Sequence, residues 1–514
     1  MNRSPNSKVR SLSRSELEKA HSNEGDFIRN SVVCYGSFNV LHPGHFRYLS
    51  WAKSQGNKLT VIVTSSDRST NPEDVISFPI IERAESLASI EDVDQVIISS
   101  GYNLENYINI IRPELLVLGK EYETELQEIV QESIVLIKSY GGKVRYHSGE
   151  TNYSHSVLGL KNDGVEQKLR LSRFCDSCSR QNIQKNHLIK RLESFKNSSI
   201  LVIGDTIVDQ YVACDAIGMS AEAPVIVVKE LDTETYIGGG AIVSAHIKAL
   251  GAKCQFISVV GDDKEAEYVR NSMRDLEVTA KLIIDKTRPT TFKNRYMVES
   301  QKMFRVSRLK DHTLDSTTES KVIAELECSV DGIDAILISD FVYGVITPKI
   351  LATIKKIAMA NNLLVFGDLQ CSSQVGSVLK FQGLDLITPT EREARIGLSN
   401  KDDSLETISN LLLEQTDSRN LIMKLGSDGF IAYEKTTSGF INRQHFPAMT
   451  INPLDVTGAG DSLISAMAVS LSSGSTLMEA AAIGAQIAAI SVRSVGNLPI
   501  DVIKLKQQLK ELEF

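Results

Sequence analysis

Apolar strand-like runs alternate with helical segments along two long stretches of this chain, and this alternation restricts the fold more than any other feature. In the first stretch, strands such as SVVCYGSF and KLTVIVTSSD are separated by helices such as FRYLSWAKSQG, which ends at glycine. In the second stretch, ILVIGD, AILISD, LLVFGD and NLIMKLG are strands of the same kind. Parallel neighbours need a crossover connection, so the pattern predicts parallel sheets with helices on both faces.

The two series are separated by a polar stretch with weak patterning. We therefore predict a Rossmann-like parallel-sheet α/β domain over residues 1–160, a linker over 161–196 and a second α/β domain over 197–514. Residues 1–30 are expected to form a short helical lead-in, because SRSELEKA opens on a serine cap followed by glutamate.

The composition excludes several classes of protein. Hydrophobic residues make up 42% of the chain and charged residues 23%, which is ordinary for a soluble globular protein. The net charge of −8 argues against a dedicated nucleic-acid-binding protein, which usually has a basic surface. The polar N-terminus lacks the apolar segment of a signal peptide, and no stretch is apolar enough for a membrane span. We expect a cytoplasmic protein.

Cysteine usage agrees with a reducing compartment. The seven cysteines are odd in number and scattered, which is typical of free thiols. Cys175 and Cys178 form a single CxxC pair, with His187 as a nearby ligand type. One such pair is at best half of a zinc site. A structural or incidental role is therefore preferred, and a metal or redox role stays open.

A loop with two histidines follows the first strand. It runs from Gly36 to His45, and His42 and His45 lie three residues apart before a helix. Glycine lets the backbone approach a phosphate, and a helix N-terminus adds positive potential. Both imidazoles can face one triphosphate and stabilise the charge that builds as its α-phosphate is attacked. We predict His42 and His45 as catalytic residues, against the alternative of two surface histidines.

This segment resembles the HxGH nucleotidyltransferase superfamily, which transfers a nucleotidyl group from a nucleoside triphosphate to a small phosphorylated alcohol or sugar. Asn39 stands where many relatives carry aspartate. Relatives of the heptose type also have a basic loop in a region where this chain has no lysine or arginine between Arg68 and Arg83. The resemblance implies nucleotide or phosphate contacts from Gly36, Ser37, Phe38, Lys53, Arg83, Gly119, Lys120, Tyr122, Ser154 and Ser156.

The most specific motif of the chain is DVTGAGD, which covers residues 455–461 and leads into an apolar helix. Its glycines free backbone N–H groups to point at one spot, and the helix dipole points the same way. The motif predicts an anion hole for a transferring phosphoryl group, made by Thr457, Gly458, Ala459 and Gly460. Asp461 would accept the proton of the attacking hydroxyl. The alternative is that Asp461 only caps the helix.

Residues 198–514 resemble the ribokinase-type sugar kinases. GMSAEAPVIVVKE and TTFKNRYMVESQKMFRVSR are similar to the lid of one branch, the bifunctional heptose-7-phosphate kinase/heptose-1-phosphate adenylyltransferases. The resemblance implies ATP as substrate, Mg²⁺ near Glu393, and a small β lid on an α/β domain. It further implies nucleotide contacts from Gly426 and Gly429, and sugar or phosphate contacts from Asp205, Asp209, Gly238, Gly239, Gly240, Lys293, Arg295, Arg305 and Asp340.

Several positions depart from that family. Ile242 stands where the glycine signature usually has a sugar-binding asparagine, and Thr390 replaces the asparagine of the NxxE motif. The family's DPK reads Asp368-Leu369-Gln370, and Ala485 replaces an asparagine near the adenine. These changes spare the base and the anion hole but affect the sugar and metal surroundings. Familiar bifunctional enzymes also usually have the kinase first, whereas here it is second.

Together these resemblances imply a bifunctional enzyme of nucleotide-sugar synthesis that acts on small molecules, with no nucleic-acid or membrane partner. It would phosphorylate C1 of a sugar phosphate and then join the product to a nucleotide. We also expect a homo-oligomer, a dimer through the kinase lid. Two alternatives remain open. One is a cytidylyltransferase for a polyol phosphate fused to a kinase for a different sugar, and the other is a binding or regulatory protein with a decayed kinase half.

Overall fold

The computed structural model describes residues 8–11, 28–39, 41, 43–64, 78–99, 103–119, 122, 128–147, 163–298, 301–371, 374–401, 403–436 and 441–512. They form two compact units: the first covers residues 1–166 and 402–407, and the second covers residues 167–401 and 408–514. Each unit is built on its own parallel sheet, which confirms the predicted α/β fold class. Among these residues, no helix is long and apolar enough to cross a lipid bilayer.

The first unit contains a six-stranded sheet in which every neighbouring pair is parallel. The strand order is β1-β4-β3-β2-β5-β6. The strands are β1 (Val9–Ser11), β2 (Ile28–Gly36), β3 (Lys58–Val63), β4 (Gln95–Ile98), β5 (Pro113–Leu118) and β6 (Lys143–Tyr146). The helices are α1 (Pro43–Ser54), α2 (Ile80–Ala88), α3 (Leu104–Ile111) and α4 (Glu128–Ser139).

The central strand β2 is buried on both faces. Val32 and Cys34 belong to one apolar cluster, and Val33 belongs to the other. Successive side chains of a strand point to opposite faces, so the continuous run SVVCYG fills two layers. The chain winds to one side through β3 and β4 and to the other through β5 and β6. The loop after β2 therefore lies at the point of reversal, where open α/β sheets bind ligands.

Strand β1 differs from the sequence prediction. Val9–Ser11 was expected in a helical lead-in, but it pairs in parallel with β4. The SRSELEKA segment lies outside the described residues. Three residues carry too little periodicity to predict a strand, and their partner β4 is remote in sequence.

The second unit is organised around a nine-stranded sheet, in the order β11-β10-β7-β14-β15-β16-β17-β18-β19. It is parallel from β11 to β17, and the last two strands are antiparallel. The strands are β7 (Ser199–Gly204), β10 (Lys253–Val260), β11 (Thr279–Ile284), β14 (Ala335–Asp340), β15 (Leu364–Leu369), β16 (Leu386–Ile387), β17 (Asn420–Lys424), β18 (Phe430–Lys435) and β19 (Ile441–Phe446).

A separate four-stranded sheet forms the predicted lid. Its order is β13-β12-β8-β9, with β8 (Thr206–Met219), β9 (Ile226–Gly239), β12 (Thr291–Val298) and β13 (Gln301–Arg308). The helices of this unit are α5 (Asp163–Arg180), α6 (Lys185–Ser194), α7 (Gly240–Ala249), α8 (Lys264–Asp275), α9 (Ser316–Cys328), α10 (Pro348–Asn361), α11 (Glu391–Leu398), α12 (Leu405–Gln415), α13 (Ala459–Ser472), α14 (Leu477–Ser491) and α15 (Val502–Glu511).

Helices α5 and α6 correct the predicted linker. They occupy most of residues 161–196, and together with their flanking residues they place six side chains in the main core of the second unit. Within each helix the two core residues are spaced four apart, so they lie on one helix face. Cys178 of the CxxC pair is one of them, and burial raises the pKa of its thiol to about 12. The six residues are Phe174, Cys178, Ile183, Leu188, Leu192 and Phe195.

Candidate functional site

The second unit holds a cavity of about 760 Å³ that collects residues from distant parts of the chain. Lid residues lie at one end, the DVTGAGD motif lies beside them, and the turn after β17 also lines the wall. The residues predicted from the sequence that line the cavity are Asp209, Gly238, Gly239, Lys293, Arg295, Arg305, Glu393, Gly426, Gly429, Thr457, Gly458, Ala459, Gly460 and Asp461.

Asp461 lies in the first turn of α13 and is 6% exposed. Its Oδ1 accepts a hydrogen bond from Gln370 Nε2 at 2.6 Å, and its Oδ2 accepts one from Asn497 Nδ2 at 2.9 Å. Gly458 is the N-cap of the helix, so the bonds of Asp461 are not those of a cap. Burial and the nearby Asp368 raise the pKa of Asp461 to about 6. A carboxylate with this pKa is suited to accept a proton near neutral pH.

The glycine before α13 is required by its conformation. Gly458 has φ +84°, and a Cβ at this position would lie 2.1 Å from the side chain of Asn497. The turn brings the first amides of α13 to the cavity wall, where Gly458, Ala459 and Gly460 are found. Helix N-terminal amides carry a partial positive charge. The arrangement can hold an anion beside the carboxylate of Asp461.

A lysine and an aspartate form an ion pair next to this hole. Lys424, the last residue of β17, places Nζ 2.8 Å from Asp368 Oδ1. Thr388 donates to the same oxygen at 2.6 Å, and Gln370 donates to Asp368 Oδ2 at 3.0 Å. Gln370 therefore bridges Asp368 and Asp461. Lys424 could not be predicted from the sequence, because a lysine at the end of a strand has no motif of its own.

The lid end of the cavity is basic. Arg295 makes a bidentate pair with Asp209, with N–O distances of 2.7 and 2.8 Å. Its guanidinium lies 5.6 Å from the ring centre of Tyr211. Lys293 is 3% exposed, and its ammonium lies 5.4 Å from each of two aromatic ring centres. These cations, with Arg305 on the same wall, can bind a phosphate group of a substrate.

Gly238 and Gly239 line the cavity beside these cations. Gly239 has φ +64°, and a Cβ there would lie 2.3 Å from the carbonyl oxygen of Asp205. Gly240 begins α7 and donates its N–H to the same carbonyl at 2.8 Å. Ile242, the departure from the family's asparagine, is fully buried in the core of this unit and does not line the cavity.

Two aspartates predicted to contact the sugar do not line the cavity. Asp205 and Asp340 are each 1% exposed. Asp205 accepts the N–H of Phe341 at 2.8 Å, and Asp340 pairs with Lys380. Burial and the neighbouring Asp340 raise the pKa of Asp205 to about 7. The sequence places both at the ends of strands, but it does not show that Asp205 accepts a backbone N–H group or that Asp340 pairs with a lysine.

Glu393, predicted as the magnesium ligand, is held by backbone amides. Its Oε2 accepts the N–H of Thr390 in a capping box, and its Oε1 accepts that of Cys371, both at 2.8 Å. Within the described ranges, no group of three or more histidine, cysteine, aspartate or glutamate side chains could hold a metal ion. Magnesium in kinases is bound through one or two carboxylates, waters and the phosphates. Glu393 lines the cavity, and its carboxylate is a ligand type that suits such an ion.

The wall beyond Gly429 is supported by α5. Arg170 Nη1 donates to the carbonyl of Ala448 at 2.9 Å, and more weakly to those of Ser427 and Thr450 at 3.3 Å. Gln167 donates to Met449 at 2.9 Å. Arg170 itself lines the cavity, as does Ala485. Arg170 was not predicted as a site residue, because its segment has the polar composition of a linker.

One lid residue reaches the anion-hole motif. Lys302 of β13 donates to Asp455 Oδ1 at 2.8 Å and to Thr457 Oγ1 at 2.9 Å. Tyr211 of β8 donates to Asp455 Oδ2 at 2.9 Å. Although burial opposes it, these hydrogen bonds lower the pKa of Asp455 to about 2. The lid and the anion hole are therefore joined through one ionised carboxylate.

In the first unit, an arginine fixes the loop after β2. Arg83 is 4% exposed and donates to the carbonyls of Ser37, of Thr64 at 3.1 Å and of Phe78 at 2.9 Å. Phe38 has φ +48°, and its ring centre lies 5.3 Å from that of His45. Arg83, predicted to contact the nucleotide, thus holds the shape of the loop, which begins at Ser37, directly after Gly36 at the end of β2.

The remaining predicted residues of this unit are partly outside this loop. Lys53 lies in the last turn of α1, with Nζ 2.6 Å from Asp94, at the opposite end of the helix from His45. Gly119 follows β5, and the ring of Tyr122 lies 6.0 Å from that of Tyr35. Four predicted residues lie outside the described part of the chain: His42, Lys120, Ser154 and Ser156.

Each of the two α/β stretches of the chain matches a known protein family. Residues 33–158 match the cytidylyltransferase-like family model, and residues 197–500 match that of the pfkB family carbohydrate kinases. The predicted order, with the transferase-like domain first and the kinase second, is confirmed. The phosphofructokinase-2 of Escherichia coli, solved with potassium and with substrates and products, is similar in fold to 61% of this chain. Each alignment covers 61% of this chain and 99% of that one, at 15% identity and TM-score 0.51.

Curated relatives include the bifunctional protein HldE of two Campylobacter jejuni strains. That of subspecies doylei is 31% identical over 316 residues, and that of subspecies jejuni serotype O:6 is 32% identical over 317. Each alignment covers 61% of this chain and 65% of the relative, so the chain matches less than two thirds of their length. Because the carbohydrate kinase model covers more than half of the 514 residues, the chain belongs to the pfkB family of carbohydrate kinases.

Proposed function

We propose that this protein carries out two consecutive steps of nucleotide-sugar synthesis. The kinase transfers the γ-phosphoryl group of ATP to the C1 hydroxyl of a sugar phosphate that resembles heptose 7-phosphate. The first unit then transfers AMP from ATP to the sugar 1-phosphate and releases pyrophosphate. The word bifunctional in the names of the curated relatives supports the pairing. The observation that carries the kinase step is the carboxylate of Asp461 beside the helix amides in the cavity.

In the kinase step, Asp461 accepts the proton of the sugar hydroxyl. The hydroxyl oxygen bonds to the γ-phosphorus of ATP, and the bond between the γ-phosphorus and the oxygen that bridges to the β-phosphate breaks. The amides that begin α13 receive the charge on the transferring group. Gln370 and Asn497 hold the carboxylate of Asp461 in place. Magnesium, when bound near Glu393, supplies charge neutralisation on the phosphates.

The basic lid end supports a sugar that already carries a phosphate. Lys293 is almost fully buried, and Arg295 and Arg305 lie on the same wall. Buried cations need anionic partners, since isolated charges are costly to remove from water. A phosphate on the sugar would bring an anion close to these three cations. A phosphate at the far end of the sugar orients C1 toward Asp461.

For the transferase step, we propose that His42 and His45 stabilise the α-phosphate as pyrophosphate leaves. Support comes from the position of the loop at the reversal of strand order and from the match of residues 33–158. Arg83 keeps the carbonyl of Ser37 turned inward, away from a bound phosphate.

We also propose a cytoplasmic homodimer formed through the lid. All seven cysteines are free thiols, as expected in a reducing compartment. The lid has exposed apolar side chains, and two copies that paired through their lids would cover an apolar surface that a monomer leaves in water. Light scattering of the wild type and of Leu231→Asp tests this, and the variant should be monomeric. Exposed apolar residues of the lid are Ile217, Met219, Val225, Ile226, Leu231, Phe304 and Val306.

The decisive test is the product mass after incubation with heptose 7-phosphate, ATP and magnesium. A gain of one phosphoryl group, followed by a gain of AMP, is expected. Repeating the assay with CTP in place of ATP, and with a panel of sugar and polyol phosphates, distinguishes this function from the cytidylyltransferase alternative. No ADP release with any sugar phosphate would contradict the kinase step and favour a decayed kinase half.

A further inference from the structure

We propose that Lys424 is a catalytic residue of the kinase, whose ammonium group contacts the transferring phosphoryl group at the anion hole. This inference rests on the proposed kinase step and adds a residue for which neither the motifs nor the family resemblance gives a role.

The position of the ammonium group is the first support. Lys424 Nζ lies 3.5 Å from the point that a Cβ on Gly460 would occupy. Gly460 belongs to the first turn of α13, whose amides form the anion hole. The lysine side chain is 13% exposed, and Lys424 lines the cavity. The charge is therefore buried against protein on one side and open to the substrate space on the other.

The hydrogen-bonding capacity of the ammonium is the second support. A lysine ammonium has three N–H donors. One of them is used by Asp368 Oδ1 at 2.8 Å, and the described contacts assign no acceptor to the other two. Asp368 is itself held by hydrogen bonds from Thr388 and Gln370, so its carboxylate has a fixed position and orients the ammonium of Lys424. Two donors remain for oxygens of a group in the anion hole.

The balance of charge is the third support. Three carboxylates lie close to this point, those of Asp368, Asp461 and Glu393, each less than 7% exposed. A triphosphate approaching them meets repulsion that one ammonium reduces at short range. The charge on the transferring group is shared with the leaving oxygen in the transition state, where a fixed cation is most effective.

Gln370 gives an internal way to test this role. Its amide nitrogen lies 2.6 Å from Asp461 Oδ1 and 3.0 Å from Asp368 Oδ2, so it shares Asp368 with Lys424. The double variant Lys424→Gln/Gln370→Lys exchanges the amide and the ammonium between two positions that contact the same carboxylate. The positive charge stays next to Asp368, but the residue that carries it is no longer the last residue of β17 and is now the residue that follows β15.

The experiment measures three quantities for the full chain: kcat of sugar-phosphate-dependent ADP release, affinity for a non-hydrolysable ATP analogue, and affinity for ADP with aluminium fluoride, which mimics the transferring phosphoryl group. Lys424→Gln should lower kcat by about 10²–10³-fold. It should weaken the fluoride complex by a comparable factor but the ATP analogue by less than about tenfold. The double variant should recover at least about tenfold of the loss in kcat.

Lys435→Gln is the matched control, because this lysine is in the next strand with an exposed partner, Asp417, at 3.9 Å. It should change none of the three quantities. A kcat of Lys424→Gln near that of the wild type overturns the proposal. So does an equal loss of both affinities, which would make Lys424 a ground-state binding residue, or a double variant that is folded, as its thermal unfolding shows, but does not recover kcat.

The ADP–aluminium fluoride measurement needs no sugar. If no sugar phosphate supports ADP release by the wild type, the proposed function fails. The role of Lys424 is still decided, because selective loss of the fluoride complex in Lys424→Gln supports it and unchanged binding refutes it.

Discussion

The side-chain amide of Asn497 donates a 2.9 Å hydrogen bond to Asp461. The same side chain packs against Gly458, where a Cβ would lie 2.1 Å away. Behind it, Asn497 Oδ1 lies 3.1 Å from Nε2 of His246, whose Nδ1 faces the N–H of Ile500. Burial lowers the pKa of His246 to about 4, so its imidazole is neutral and can donate from Nε2. Asn497 thus orients the carboxylate of Asp461 and also packs against the glycine turn of the anion hole.

Asn497→Asp is therefore expected to shift the pH dependence of the kinase. A second carboxylate 2.9 Å from Asp461 disfavours its ionisation, so the acid limb of kcat/KM should move upward by about one pH unit or more. A purely structural role would lower the rate equally at all pH values. Asn361→Asp, at the exposed end of α10, should leave the profile unchanged.

Asp461→Asn should abolish most of the phosphoryl transfer. The isosteric amide keeps the volume but cannot accept the proton, so kcat should fall by about 10²–10⁴-fold. The shift of Tm should be about 5 °C or less. Enzyme-coupled ADP detection and thermal unfolding measure the two effects. Near-normal kcat would show that Asp461 is not the base.

The wild-type kinase should lose activity in mild acid. The base must be ionised, and burial with Asp368 nearby raises the pKa of Asp461 to about 6, while Gln370, Lys424 and Asn497 lower it. Protonation of this single group predicts that log kcat/KM falls with unit slope as pH drops below about 6 and is flat above it. A profile that is flat down to pH 4.5 would contradict this assignment.

The boundaries of the kinase unit can be tested by truncation. Residues 163–514 should fold and keep kinase activity, whereas 197–514 should be insoluble. The shorter piece loses six core side chains of α5, α6 and their flanking residues. At roughly 1.5–3 kcal/mol each, this loss is on the order of 10 kcal/mol, comparable with the whole stability of a domain. A soluble, active 197–514 fragment would refute the assignment of these helices to the core.

His42→Ala and His45→Ala should each depress nucleotidyl transfer by about 10²–10³-fold, because each removes one donor to a developing oxyanion. Affinity for the nucleotide should fall less than the rate. The kinase activity of the same preparation is the control, because its residues lie in the other unit. Equal transfer rates in variant and wild type would leave the first unit as a binding module.

The motifs that depend on a continuous segment could be predicted from the sequence. The glycine turn, Asp461 and the helix that follows them are one local unit, and the structure places them together. Asn497 and Lys424 could not be found in this way, because their roles come from partners 36 and 56 residues away along the chain. Asp205 and Asp340 show the opposite case, since a strand-end position does not fix where a carboxylate points.

Helices α5 and α6 precede the family match at residue 197, yet Arg170 supports the wall of the cavity. A suitable breakpoint for exchanging the kinase unit is thus near residue 163 rather than at residue 197, where the family match begins. A chimaera that joins another transferase to this kinase at residue 197 discards an arginine on the cavity wall along with part of the core. A variant of this chain that began directly at the first strand of the nine-stranded sheet would have to support the same wall by other means, so the region matched by the family model is not by itself an interchangeable part.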